Sequence, residues 1–203
     1  MGFLDQAQNN AQRLTMMGGE LCVNATLAAA YSQAQDTGVL MLSDGTNVQY
    51  EVRGELVSIR IRLAYQIVFG DVGCRVVVFD GIGYIVCQRT IRAKRRMLQQ
   101  LCKKYSLPAA GIIEVQDNTI RPIVYVAATD SLVYETACGS GSIAYYLTTD
   151  RAKVGRSLHV RQPTGQNIFV QQKNPTQPEF TVTANINQIR NKNKPYGRTI
   201  YKN

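Results

Sequence analysis

A chain of 203 residues with 45% hydrophobic and 18% charged side chains has enough apolar material for a full core and a composition that excludes intrinsic disorder. No apolar run approaches the roughly 20 residues needed to span a bilayer, and the polar opening from Met1 to Asn10 carries neither a signal nor a transit pattern, so a soluble cytoplasmic protein with no membrane partner is expected. The formal net charge of +9 favours acidic metabolites or polyanions as partners.

In chain order, an Ala-rich helix is expected first, from about Asn24 to Gln33. Short runs rich in β-branched residues then predict strands at Val39–Leu42, Val48–Val52, Val57–Leu63, Ile67–Phe69, Arg75–Phe79 and Ile82–Cys87. They are punctuated by turns such as Asp44-Gly45 and Asp80-Gly81. A second helix, about Arg92 to Tyr105, gathers Met97, Leu98, Leu101, Cys102 and Tyr105 on one face, with Pro108 just beyond it. Strands follow at Ile112–Val115, Ile123–Val126 and Leu132–Tyr134. A third helix is expected over about Gly141–Leu147, then strands at Leu158–Arg161, Asn167–Gln171 and Phe180–Ile186. Sheet-rich segments around a few helices read as an α+β fold.

The five cysteines, Cys22, Cys74, Cys87, Cys102 and Cys138, include no CxxC pair. That pattern argues against a disulfide framework and against a structural zinc site. Cys74, Cys87 and Cys102 lie in apolar patterns and read as core. His159 is the one histidine, so Ser–His or Cys–His hydrolase chemistry has a single candidate. Its strand pattern beside the Pro163–Gly165 turn suits a surface or half-buried strand residue better. Gly139-Ser140-Gly141 is not followed by Gly-Lys-Ser/Thr and is no P-loop.

The most informative feature is a repeat. Cys22-Val23-Asn24-Ala25-Thr26-Leu27-Ala28 parallels Cys138-Gly139-Ser140-Gly141-Ser142-Ile143-Ala144. Each is a cysteine, a small-residue turn, a hydroxyl residue and an apolar entry to a helix. Glu20 and Glu135 precede them, so the two segments read as matching points of a duplicated architecture. A cysteine at a helix start meets unpaired N–H groups and the positive dipole end, an environment expected to lower its thiol pKa. The N–H groups of residues 23–25 and 139–141 can receive a substrate carboxylate. With the two halves facing each other, a thiolate and a thiol would flank one α-carbon. That arrangement suits racemisation or epimerisation without pyridoxal phosphate.

Met16-Met17-Gly18-Gly19-Glu20-Leu21-Cys22-Val23-Asn24-Ala25-Thr26 and Glu135-Thr136-Ala137-Cys138-Gly139-Ser140-Gly141-Ser142 resemble the two active-site motifs of the diaminopimelate epimerase superfamily. These are cofactor-independent, two-cysteine amino-acid racemases and epimerases. Gly2-Phe3-Leu4, Arg121 to Val126 and His159-Val160-Arg161-Gln162-Pro163-Thr164-Gly165 extend the likeness, which is greatest to the histidine racemases of staphylopine-type metallophore biosynthesis. It covers 1–30 and 119–190 well and the middle thinly.

The resemblance implies two pseudo-symmetric lobes, each a curled, mainly antiparallel sheet around a central helix. It divides the chain into residues 1–63, residues 64–190 and a basic tail, 191–203. It implies Cys22 and Cys138 as the acid–base pair, with no metal and no cofactor. Backbone donors at Val23, Asn24, Gly139 and Ser140 would take the α-carboxylate, beside those of Ala25 and Gly141 that the helix starts themselves offer. Asn24, Ser142 and Glu135 are the implied polar contacts of a small amino-acid substrate.

Two departures matter. Val23 and Ala25 stand where the epimerase motif has glycines, and an Asn-Pro-His motif has no match, Gly83-Tyr84 lying nearest, which speaks against diaminopimelate itself. Family members also carry several dozen residues ahead of the segment matching Gly2. The expectation is therefore an incomplete first lobe, from a misassigned start or a truncated gene, with an exposed sheet edge that invites homodimerisation. An inactive family remnant is one alternative. Nucleic-acid binding is another, carried by the basic run Arg92, Lys94, Arg95, Arg96, Lys103 and Lys104 with Arg190, Lys192, Lys194, Arg198 and Lys202 of the tail. Against it, the tyrosines are not interleaved with the bases, and a solvated amphipathic helix face beside a basic tail explains the run better.

Overall fold

The computed structural model describes residues 2–6, 12–70 and 73–186. Its strands join into one sheet in the order β1(Gly2–Gln6), β2(Gln12–Met16), β3(Thr37–Leu42), β4(Asn47–Arg53), β5(Leu56–Arg62), β14(Glu179–Asn185), β13(Asn167–Gln171), β12(Leu158–Arg161), β10(Thr119–Val126), β9(Ala109–Gln116), β8(Ile82–Cys87), β7(Cys74–Phe79) and β6(Tyr65–Phe69). β11(Ser131–Tyr134) lies against β10.

The pairing is antiparallel except at β2–β3, β8–β9 and β10–β12. Each parallel step needs a crossover, and each contains a helix. α1(Val23–Tyr31) links β2 to β3, α2(Lys94–Tyr105) links β8 to β9, and α3(Gly139–Leu147) with α4(Asp150–Lys153) leads to β12. After α1 comes the meander β3–β4–β5, and after α3 the meander β12–β13–β14. The two meanders meet along β5–β14, antiparallel from Leu56↔Asn185 to Arg62↔Glu179. The strand order therefore reads as a palindrome about that seam, the architecture expected of a duplicated α+β fold. The last strand of the segment 64–190 thus pairs along its length with the last strand of 1–63.

Helix α1 packs on β3, β4 and β5, and α3 packs on β8, β9 and β13. Both lie in one main core, in which Val23, Leu27, Ile59, Ile61, Ile143, Tyr146, Phe180 and Val182 are buried. Helix α2 covers the opposite face of β8–β10 with Leu98, Leu101 and Cys102 against Ile85, Ile112 and Tyr125. β8 is consequently buried on both faces, and its residues alternate between the two cores: Ile82, Tyr84 and Val86 toward α3, Ile85 and Cys87 toward α2.

Every strand expected from Val39 onward is present. The expected helices start at Val23, Lys94 and Gly139, the last one turn-fraction earlier than its apolar pattern begins. β1 and β2, the short 3-10 turn Ala127–Thr129 and α4 have no counterpart in the expectation. β1 and β2 are polar and poor in β-branched residues; pairing with each other and with β3, not propensity, makes them strands. A second difference concerns cysteine. Cys74 and Cys87 are neighbours in the β7–β8 register and form a disulfide, so they are not independent core thiols. The sequence separation of 13 hides this, because a hairpin returns the chain on itself. Among the described residues no helix is long and apolar enough to cross a membrane. The expected tail, 191–203, lies outside them.

Candidate active site

Cys22 and Cys138 occupy the same structural position twice. Each is the N-cap of its helix, with extended backbone at φ −129°, ψ 97° and φ −146°, ψ 102°. Each sulfur accepts from the N–H three residues on, Ala25 at 3.5 Å and Gly141 at 3.3 Å. Each carbonyl accepts both the N–H and the hydroxyl of the residue four on. These are Thr26, at 3.1 and 3.0 Å, and Ser142, at 2.9 and 2.7 Å. Helical N-termini leave donors that only such caps, ligands or water can satisfy.

The two helix starts are tied together by one side chain. Asn24 Nδ2 donates to the Ala137 carbonyl at 2.6 Å, and Asn24 Oδ1 accepts from Gly139 N–H at 2.8 Å. Val23 closes the same contact: a Cβ on Gly139 would lie 2.5 Å from Val23 Cγ1, so only glycine fits there. The Gly139 donor expected for a carboxylate is thus already engaged by Asn24, and Ala25 and Gly141 point at their own cap sulfurs. The N–H groups of Val23, Asn24 and Ser140 have no acceptor among the described residues.

Burial, not the helix dipole, sets the thiols. It pushes Cys22 up to about 11; the Ala25 N–H opposes this and the Glu135 and Glu20 carboxylates add to it. Cys138, 3% exposed, is pushed well above the ordinary thiol value by burial and then by Glu135, with Tyr84 and Gly141 opposing. The expectation of lowered thiol pKa values is therefore corrected. One backbone donor at more than 3.2 Å does not offset dehydration and two nearby carboxylates. Glu135 is itself raised, first by burial and then by Glu20, with Cys138 opposing. One Glu20 carboxylate oxygen is buried without a partner.

Two residues complete the Cys138 surroundings. Tyr84, from β8 and fully buried, places its hydroxyl 3.5 Å from Cys138 Sγ and 2.7 Å from Ser140 Oγ. Gln162, in the turn after β12, accepts from Cys138 N–H at 2.9 Å and donates to Ser142 Oγ and the Val160 carbonyl, both at 3.0 Å. Ser142 therefore braces the helix start and does not face open space. Gln162 belongs to a motif stretch visible in the sequence; Tyr84 had no signal beyond its place near the unmatched Asn-Pro-His motif.

A cavity of about 120 Å³ reaches Cys22, lined by Met16, Glu20, Thr26, Asp44 and Asp80 among others; Cys138 is not part of its wall. Gly81, at φ +88°, turns the β7–β8 hairpin so that its tip lies against Leu21, where a Cβ would come within 3.1 Å of the Leu21 nitrogen. That turn brings Asp80 to the cavity.

Elsewhere, His159 is exposed on β12 and meets Phe169 edge-on at 4.4 Å, away from the thiols. Helix α2 has a buried apolar face and an exposed basic one. On it Lys94 is paired with Glu114 at 3.0 Å and Arg95 with Asp130 at 2.9 Å. Among the described residues no group of His, Cys, Asp and Glu is placed to hold a metal ion.

Comparison with known proteins bears on family and fold. A family model described as the histidine racemase CntK N-terminal domain matches residues 62–189, more than half of the chain and including the middle that motifs cover thinly. A histidine racemase of Staphylococcus aureus (strain Mu50 / ATCC 700699) is 23% identical over 203 residues, covering 85% of this chain and 73% of that protein. Two solved structures share the fold. A predicted epimerase from Pseudomonas aeruginosa has a TM-score of 0.59 and 16% identity over 91% of this chain and 79% of its own. A phenazine biosynthesis PhzC/PhzF protein from Clostridium difficile (strain 630) has a TM-score of 0.56 and 16% identity over 91% and 78%. The chain belongs to the histidine racemase CntK N-terminal domain family, and so to the racemases and epimerases among isomerases.

Proposed function

We propose that this protein is a cofactor-independent amino-acid racemase, with histidine as substrate, in which Cys22 and Cys138 work on opposite faces of the α-carbon. The observation that carries the reading is the Asn24 bridge. It holds two cysteine-capped helix starts side by side, with N–H donors on both that have no acceptor among the described residues. In this mechanism one thiolate takes the α-proton: the C–H bond breaks, an S–H bond forms, and the electron pair spreads into the carboxylate. The opposite thiol then returns a proton to the other face, and the configuration is inverted. The Val23, Asn24 and Ser140 N–H groups hold the carboxylate as negative charge grows on it, which is where aligned donors lower the barrier most. Glu135 contacts the substrate beside Cys138. Glu20, Asp44 and Asp80 around the cavity at Cys22 complement the α-ammonium of an amino acid, and the choice of histidine follows the histidine racemase relative.

The test is α-proton exchange. The chain, kept reduced, is incubated in D₂O with single L-amino acids including histidine and diaminopimelate, and the α-proton signal is followed by NMR. Exchange with histidine that is lost in both Cys22→Ser and Cys138→Ser supports the two-thiol reading. Inversion of configuration that survives either change overturns it, and exchange confined to another amino acid overturns the substrate.

A further inference from the structure

The two thiols share a backbone position but not an environment. Among the described residues Cys22 Sγ has one donor, the Ala25 N–H. Cys138 Sγ has the Gly141 N–H at 3.3 Å, the Tyr84 hydroxyl at 3.5 Å and Ser140 Oγ at 3.9 Å. The sequence repeat predicts nothing of the kind, because Tyr84 arrives from β8, far from either cysteine in the chain.

The packing fixes Tyr84 closely. It lies opposite Gly111 in the β8–β9 register, and the absence of a side chain there leaves room for its ring. Phe79 meets the ring edge-on at 6.4 Å. Its hydroxyl is shut off from water, and the polar atoms it reaches are Ser140 Oγ and Cys138 Sγ. A phenol has one proton to give, and the Ser140 hydroxyl at 2.7 Å can supply the phenol oxygen in turn.

Building on the racemase reading, we propose that Tyr84 is a positioning residue for Cys138: its hydroxyl, itself receiving from Ser140, donates to the sulfur and holds it whenever Cys138 has given up its proton. In each turnover Cys138 passes through that state, either before it takes the α-proton or after it has donated one. The thiol proton leaves with the S–H bond broken and is accepted by the substrate carbanion or the neighbouring carboxylate of Glu135; no oxidant or reductant is involved. Tyr84 forms and breaks no covalent bond. Burial, then Cys138 and Glu135, hold its phenol well above its ordinary pKa, so it stays a donor through the working range and is no base. The other titratable group acting on this sulfur is Glu135 ahead of α3; Glu20 acts in turn on Glu135, and both carboxylates act on Cys22 across the helix starts.

The test reads thiolate character directly, so its failure is separable from failure of the racemase reading. The full chain, with the Cys74–Cys87 disulfide intact, is alkylated with iodoacetamide at fixed pH, and the rates at Cys138 and Cys22 are followed on their separate peptides by mass spectrometry. Loss of a donor to a charged sulfur raises its pKa by about one to two units. The rise in nucleophilicity with pKa offsets part of that, so Tyr84→Phe is expected to slow Cys138 about 3- to 10-fold. Cys22 in the same molecule keeps its rate. Ser140→Ala, which leaves the phenol in place, is expected to slow Cys138 in the same sense and by less, and it decides the matter if Tyr84→Phe does not fold. A purely packing role predicts faster alkylation of Cys138 through looser access, and that outcome, or no change in either variant, overturns the proposal. In the α-proton exchange assay the alkaline limb of Tyr84→Phe moves up with that of Cys138. Slowed alkylation with no exchange in the parent protein leaves the Tyr84 contact standing and removes the racemase reading.

Discussion

Glu135 shows what the site costs the fold. Burial raises its pKa, with Glu20 adding to the effect, so the native state binds protons that the unfolded chain releases. A group raised in this way contributes stability that is fully present below its unfolded value and is lost as pH rises through the folded one. Where it is charged, Glu135 is therefore a net burden on the fold. Glu135→Gln is expected to raise the melting temperature at neutral pH, to leave it nearly unchanged in acid below the ordinary glutamate range, and to lower α-proton exchange. Thermal melts at the two pH values, with the exchange assay beside them, check all three. An unchanged neutral melting temperature would mean that the carboxylate is better solvated than its surroundings indicate.

Among the elements, the starts of α1 and α3 are hydrogen-bonded to each other through one side chain, Asn24. Asn24→Ala removes two hydrogen bonds between the helix starts and leaves the Ala137 carbonyl and the Gly139 N–H unpaired, at a cost of about 1 to 3 kcal/mol. Urea unfolding should show that loss in the midpoint with an unchanged slope, while exchange falls further than stability alone explains, because the two thiols lose their register. How far such detail was readable beforehand differs by element. Strands from β3 on were legible because β-branched runs and Asp-Gly turns are local signals. Both cysteine-capped helices were legible because a repeat marks them twice. The Asn24 bridge and the Gln162 brace involve residues already singled out, yet their partners are set by tertiary contact and no local pattern encodes it. Tyr84 was illegible for the same reason, since a tyrosine in an apolar run reads as core until the strand opposite it is known. The thiol pKa values were misread because the helix-dipole argument is local and burial is not. The Cys74–Cys87 pairing was missed because the hairpin that joins them has to be known first.

At the scale of the molecule, the sheet is one continuous surface with its ends at β1 and β6, and the disulfide staples the β7–β8 hairpin near the second end. Closing a loop of this size is worth about 3 kcal/mol in the chain-entropy account. The Cys74→Ser/Cys87→Ser double variant should therefore melt several degrees lower than the oxidised parent, and reductant should lower the parent to a similar level while leaving the variant unmoved. A reductant effect on the variant would point to some other bond. The palindromic strand order has a further consequence. Antiparallel pairing of equivalent strands is what a two-fold axis generates, so a half-length ancestor could have reached the same sheet by isologous self-association, each subunit delivering one cysteine. In such an assembly the two thiols would have been identical by symmetry and could not have been tuned apart. With both halves in one polypeptide that constraint is absent, and the surroundings of Cys22 and Cys138 are free to differ, as they do.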